Sequence, residues 1–259
     1  MSKVNTIISN RKNNLKKFDK FFSVIYSTAC ILIVWYILHM LLKSFVVPNP
    51  SEVIRNFIDI FFPKLLKHLF ASGARIIIAL IITAIIGMII GLGIGTSKNF
   101  DKLFSPIVYM IYPVPRIAFL PVFMILFGLG NTSKIILIIA IAVFHIIISV
   151  RDGVKEIPKS MYTSVYSLGL SKWQILIHLT IPAILPKFFT SLRIVLGSSM
   201  AALFFAENYA TKLGIGYFIM NSWVKVNYVD MYSGIIAISL FGILFFKGID
   251  LLEKKYVHK

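Results

Sequence analysis

The sequence predicts an all-α polytopic membrane protein with about six transmembrane helices, and three observations carry that prediction. Hydrophobic residues make up 58% of the 259-residue chain and charged residues only 14%, whereas a soluble domain is roughly a quarter charged. Apolar stretches recur at 21–42, 74–95, 103–127, 135–150, 188–205 and 232–246. The length holds spans of ~20 residues with their loops, and leaves no room for a large extramembrane domain. Runs of Ile and Val would suggest strands in water. In lipid a helix satisfies its own backbone and a lone strand does not, so helix wins. The shortest stretch, 135–150, falls just under the ~17 residues a span needs and borrows from its flanks. A soluble enzyme and a disordered chain are both excluded. The single cysteine, Cys30, excludes a disulfide framework, a Cys-ligated cluster and a CxxC redox pair.

The net charge of +17 would point to nucleic acid in a soluble protein. With alternating spans and the N-terminus in the cytoplasm, seventeen cations fall inside and seven outside; Arg75, Arg116 and Arg193 lie in or at the ends of spans. The positive-inside rule then places both termini in the cytoplasm and accounts for the basic charge without nucleic acid. The expected layout is a basic tail at 1–20 and one transmembrane domain at 21–259. The first stretch is longer than a signal-peptide core and lacks a cleavage site. Ser27-Thr28-Ala29-Cys30 lies inside it, where lipoprotein processing would destroy a span.

Two loops are patterned. After Pro48 and Pro50, Ser51 can cap a helix. Val53, Ile54, Phe57, Ile58, Phe61 and Phe62 then repeat at helical spacing until Pro63 ends the pattern. That helix either lies on the membrane surface or packs on its own spans. The longest polar segment, 151–187, is interrupted by Gly169. Ser171 can cap the helix that follows, whose apolar face is Trp173, Ile175, Leu176 and Leu179, and Pro182 and Pro186 delimit it. A helix–Gly–helix elbow of this length is either a docking surface or a re-entrant connector.

Aligned on Gly169, the segment resembles the Glu-Ala-Ala loop of the permease subunits of binding-protein-dependent ABC importers. Thr163-Ser164-Val165 stands where the family has Glu-Ala-Ala, and Leu179-Thr180-Ile181-Pro182 where it has Ile-x-Leu-Pro. Further matches are similar to the sulfonate, taurine and nitrate branch: Pro48-Asn49-Pro50-Ser51-Glu52-Val53, Tyr112-Pro113-Val114-Pro115-Arg116-Ile117-Ala118, Leu120-Pro121, Phe127-Gly128-Leu129-Gly130, Ser167-Leu168-Gly169-Leu170-Ser171-Lys172-Trp173-Gln174, Pro182-Ala183-Ile184-Leu185-Pro186, Leu192-Arg193-Ile194 and Ala206-Glu207. The resemblance implies a type I importer permease (MetI-like) fold and a homodimer enclosing a pore. It also implies two cytoplasmic ATPase subunits seated on the elbows, and an extracytoplasmic substrate-binding protein. The elbow residues would be Thr163, Ser164, Val165, Gly169, Leu179, Ile181 and Pro182. With Thr163 in place of the acid, Thr163 could cap or hydrogen-bond, and Lys159 or Lys155 could take over the electrostatics. No cofactor belongs to this chain; ATP is bound by the partner subunit. In agreement, the sequence has no G-x-x-x-x-G-K-[ST] phosphate loop, and the glycines at 91–95 read as close helix packing.

Polar groups inside spans are functional candidates. Pro113, Pro115 and Pro121 surround Arg116 and predict a bent or broken helix, the kind that lines transporter pathways. Arg116 would either offer a forked cation to an oxyanion, or pair with Glu207, or cap freed carbonyls. Glu207 would gate, pair with an arginine or sit at the outer interface. His145, with no companion at metal-ligand spacing, reads as a hydrogen-bonded packing residue in preference to a metal or proton-transfer site. A self-sufficient secondary transporter or channel is the rival class, disfavoured because ion coupling usually uses intramembrane carboxylates. A membrane enzyme ranks third.

Overall fold

The computed structural model describes Phe22 and residues 25–257. The basic tail at 1–20, the start of the first apolar stretch and Lys259 lie outside the described residues. Helix α1 is Ile25–Leu42 and α2 is Pro50–Ile60. Asn49, rather than the expected Ser51, caps α2, its side chain accepting from the Ser51 N–H, with Pro50 at the first turn. Proline fits there because that N–H has no helical partner.

Pro63 does not end the helix. A π-turn at Phe61–Leu65 absorbs it, and the chain runs on into α3, Leu66–Thr96. A proline in a regular α-turn crowds the carbonyl four residues back; one extra residue in the turn relieves that contact. Pro182 is treated alike. After α7 (Lys159–Ser167) and the short α8 (Lys172–Ile175), a π-turn at Leu176–Thr180 leads into α9, Ile181–Glu207. The expected break at Pro182 and Pro186 is therefore absent, and residues 172–207 form one helical run.

The third stretch does break. Helix α4, Lys98–Ile111, is followed by a 3-10 turn at Arg116–Phe119 and by α5, Leu120–Phe127, and the two arms meet at 81°. The short fourth stretch is the core of a 26-residue helix, α6, Asn131–Glu156. Helix α10, Ile215–Val224, was not anticipated, and α11 covers Tyr228–Val257. Among the described residues, five helical runs are long and apolar enough to cross a membrane, or six if the bent pair is one span.

The core is the seam of α3, α6 and α9. Ile76 and Ala79 meet Ile138, Ala142, Ile146 and Val150 of α6, with Ile184, Val195 and Leu196 of α9 behind them. Gly87, Gly91 and Gly95 form one stripe on α3. A Cβ on each would stand 2.7 Å from Ile146, Val150 and Val154 respectively. Glycine is what lets these backbones approach. Helix α2 packs on α11, where Asn56 donates to Asp230 at 2.8 Å and to Ser233 at 3.0 Å. This favours packing on the chain's own spans, although Ile58 and Phe62 remain exposed.

At the elbow end, ion pairs tie helix to helix. Asp101 of α4 accepts from Arg151 (3.0 Å) and Lys155 (2.5 Å) of α6, Lys187 of α9 pairs with Glu156 of α6, and Arg193 of α9 bridges Asp250 and Glu253 of α11. Several of the cations that the charge count treats as free topology signals are thus also structural partners.

Candidate functional site

Backbone chemistry builds the elbow. Gly169 has φ +74°, a left-handed conformation that residues with a Cβ resist. Its N–H donates to Tyr166 O (3.0 Å), and the Leu170 N–H reaches Val165 O (3.4 Å). This 5→2 and 6→1 pair is a Schellman stop for α7. Two residues on, Ser171 and Gln174 form a reciprocal capping box that starts α8. Nothing lies within 4 Å of a Cβ built on Gly169. The glycine is there for its backbone angle and not for space.

The elbow is anchored on one face and bare on the other. Ile175 and Thr180 are buried, and the Tyr162 hydroxyl meets Thr180 Oγ1 at 3.3 Å. Leu176, Leu179 and Ile181 are half-buried and Pro182 is exposed. Met161, Tyr166, Leu168 and Trp173 are exposed, so the apolar face predicted for α8 is split, with Ile175 turned in and Trp173 out. Thr163 and Ser164 are exposed and return their hydroxyls to Lys159 O and Ser160 O. Val165 is half-buried.

At the bend, Arg116 satisfies the backbone that the prolines disrupt. Its Nη2 donates to Tyr112 O and to Ile111 O (3.3 Å), and its Nη1 to Ile141 O of α6 (3.1 Å). The guanidinium also lies over the rings of Tyr112 and Phe144, at 5.4 and 4.9 Å. Pro113, Pro115 and Pro121 are exposed around it. Of the alternatives left open by the sequence, this geometry is carbonyl capping.

Glu207 sits elsewhere. It is wholly buried and pairs with Arg75 Nη1, not with Arg116. Ser72 Oγ donates to its carboxylate (2.8 Å), and so does the Gly216 N–H (2.9 Å). The Ile215 and Gly214 N–H groups are taken by Ser72 Oγ (2.9 Å) and His68 Nδ1 (3.1 Å). The amides of Gly214, Ile215 and Gly216 at the start of α10 are therefore captured by buried side chains, with a carboxylate at the positive end of the helix. Gly214 permits the approach: φ is +151°, and a Cβ there would lie 2.3 Å from the Glu207 carboxyl carbon. Arg75 Nε donates to Asn131 at 2.9 Å, and buried Lys134 caps Leu129 O and Gly130 O. Arg75, Ser72, His68 and Lys134 had no role in the sequence reading. The available signal was Arg75, a cation in an apolar run, which needs an acid partner.

Fold and sites together define a multi-pass helical permease whose helices are joined at one end by a capped, partly bare elbow. The chain belongs to the family described as binding-protein-dependent transport system inner membrane component, which matches residues 84–258. It is thus the permease component of a binding-protein-dependent ABC importer, a transport subunit without catalytic activity of its own. It is 30% identical over 235 residues to the taurine transport system permease protein TauC of Escherichia coli (strain K12), covering 88% of this chain and 86% of that one. Identity to the nitrate import permease protein NrtB of Synechococcus elongatus (strain ATCC 33912 / PCC 7942 / FACHB-805) is 26% over 246 residues, with 86% and 87% covered. The fold is similar to that of the MetNI methionine ABC transporter in an inward-facing conformation, with TM-score 0.62, 15% identity, and 76% and 96% covered. A bacterial ABC transporter that imports the acidic polysaccharide alginate gives TM-score 0.60 at 15% identity, with 93% and 99% covered. Family membership sets aside the secondary transporter and the membrane enzyme.

Proposed function

We propose that this permease imports a small oxyanion, with a sulfonate such as taurine as the first candidate and nitrate or a related anion next. The observation that carries this reading is the 30% identity to the taurine permease over nearly the whole chain. Relatives named for nitrate, aliphatic sulfonates and bicarbonate share the chemistry of a compact oxyanion. One relative is named for formylaminopyrimidine, a vitamin-precursor type of solute, and this is the second reading. Two copies of the chain enclose the pore, and an extracytoplasmic binding protein delivers the solute.

In this account both termini and the segment 151–187 face the cytoplasm, and one domain follows the basic tail. The ATPase subunits seat on Thr163, Ser164, Val165, Gly169, Leu179, Ile181 and Pro182. Exposed Leu168 and Trp173 supply apolar area beside them. ATP binding draws the two elbows together. Because residues 172–207 form one helical run, that motion is passed to α9 as a lever. The bend at Pro113, Pro115, Arg116 and Pro121 borders the pathway, and Glu207 holds its far end in place.

The test is calorimetric titration of the cognate binding protein with taurine, nitrate and formylaminopyrimidine, followed by uptake of the bound solute in the complete complex. Binding of an oxyanion supports the reading, and binding of the pyrimidine alone replaces it with the second.

A further inference from the structure

A groove between α6 and α9 carries polar side chains, among them His145, Ser149, Thr190 and Ser191, that none of the roles above uses. Its first part is a cavity of about 260 Å³ lined by Tyr112, His145, Ser149, Lys187, Thr190 and Ser191, with Ile148 and Ile194 as apolar walls. A second cavity of about 250 Å³ shares Lys187 and adds Glu156 and Pro158 at the foot of α7. The two meet at Lys187, which pairs there with Glu156. The groove therefore leads from the bend toward the elbow.

The first cavity is built of donors. The Tyr112 hydroxyl lies 3.0 Å from His145 Nδ1. With that hydroxyl donating, Nε2 carries the ring proton and has no partner among the described residues. Ser149 and Ser191 make only long bonds, 3.4 Å to Lys187 O and 3.5 Å to His145 O, so their hydroxyls turn at little cost. Lys187 has two N–H groups beyond the one on Glu156. No acidic residue lines this cavity, and the Arg116 guanidinium lies over the ring of Tyr112. The groove is open on the chain's surface, with Ile194 56% and Tyr112 37% exposed. Polar and ionisable groups at membrane depth face a bundle interior or a water-filled cavity and not acyl chains.

We propose that this groove is the elbow-side half of the solute path, and that its first cavity transiently holds the oxyanion head of the transported solute. The volume lies below the ~300–1,000 Å³ of sites for drug-sized ligands, which suits a solute of few heavy atoms. Lys187 exchanges Glu156 for the solute as it passes. The anion class rests on the function proposed above; the location of the path does not.

The test uses the complete complex with Cys30→Ser, in lipid nanodiscs for labelling and in proteoliposomes for uptake, and compares Ser149→Cys with Ile33→Cys on the bare face of α1. The probe is an anionic methanethiosulfonate, which reacts with thiolate and so requires water. Ser149→Cys should react at least ~10-fold faster than Ile33→Cys, and millimolar taurine or nitrate should slow it. In a separate variant, Lys187→Gln should raise the KM for uptake several-fold with permease abundance unchanged. Equal, slow reaction of both cysteines in a complex that still imports an anion would overturn the groove and leave the anion reading standing. Fast reaction slowed only by a neutral solute would keep the path and sink the anion. Slowing by anionic phospholipid alone would make the groove a headgroup site. An unchanged KM in Lys187→Gln would remove the oxyanion contact.

Discussion

Glu207 and Arg75, 132 residues apart in the chain, form a buried ion pair, and around it the ends of α3, α6, α9 and α10 are gathered. The pair is a fastening, because Ser72 and the Gly216 N–H also hold the Glu207 carboxylate and Asn131 accepts from Arg75 Nε. Glu207→Gln keeps the shape but leaves the Arg75 charge without its counter-ion, a loss of about 3–5 kcal/mol for a buried pair. We expect a marked fall in the melting temperature of the detergent-solubilised permease. The double change Arg75→Met, Glu207→Leu should lose less than the sum of the singles, since it strands no charge. Strict additivity would show that the two do not act as a pair.

Gly169 should tolerate substitution according to backbone angle alone, because its Cβ direction is empty. Gly169→Asn, which visits the left-handed region, should keep ATPase association. Gly169→Ala should cost roughly 1–2 kcal/mol for a Cβ in the left-handed conformation, and Gly169→Val should abolish association while the permease still inserts. Co-purification of the ATPase with each variant checks the order. Equal association across all three would show that the turn is not the joint.

The α3 glycine stripe makes a separate claim about packing. Gly91→Leu must push Val150 and the Ile147 carbonyl aside, and overpacking of this kind typically costs 1–3 kcal/mol. Gly93→Leu, whose Cβ would meet only Phe100 at 3.9 Å, should be close to neutral. Thermal stability of the two variants measured side by side decides it.

Arg116 should behave as a scaffold residue. Arg116→Gln cannot reach three carbonyls on two helices, and each hydrogen bond lost is a net loss of about 0.5–1.5 kcal/mol. Abundance and uptake should therefore fall together. Arg116→Lys keeps the charge but lacks the planar fork, so it should rescue only partly. Uptake lost in Arg116→Gln at full abundance and assembly would return Arg116 to direct solute contact.

Much of this architecture was legible in the chain, and the misses share a cause. Hydropathy marks the lipid-facing middle of a helix, so 135–150 was visible while the polar turns that lengthen α6 to Asn131–Glu156 were not. Pro63 and Pro182 read as stops because a regular α-turn excludes them; a π-turn leaves no pattern in composition. Gly169 and Ser171 were legible since caps and left-handed turns are local chemistry. The partner of Glu207 was not, because a contact across 132 residues leaves no spacing to read. Helix α10 is short, and its amides are held by side chains from α3 and α9 rather than by a cap of its own.

If this chain is the membrane path of an ATP-driven oxyanion importer, as proposed above, its transport can be rebuilt from purified parts. The most direct test is reconstitution of the permease with its ATPase and binding protein in proteoliposomes, with accumulation of labelled taurine and nitrate as the readout. Accumulation should require ATP and the binding protein and should be lost in Gly169→Val. Accumulation driven by a proton or sodium gradient without ATP, or ATP-driven accumulation of a neutral solute alone, would contradict that proposal.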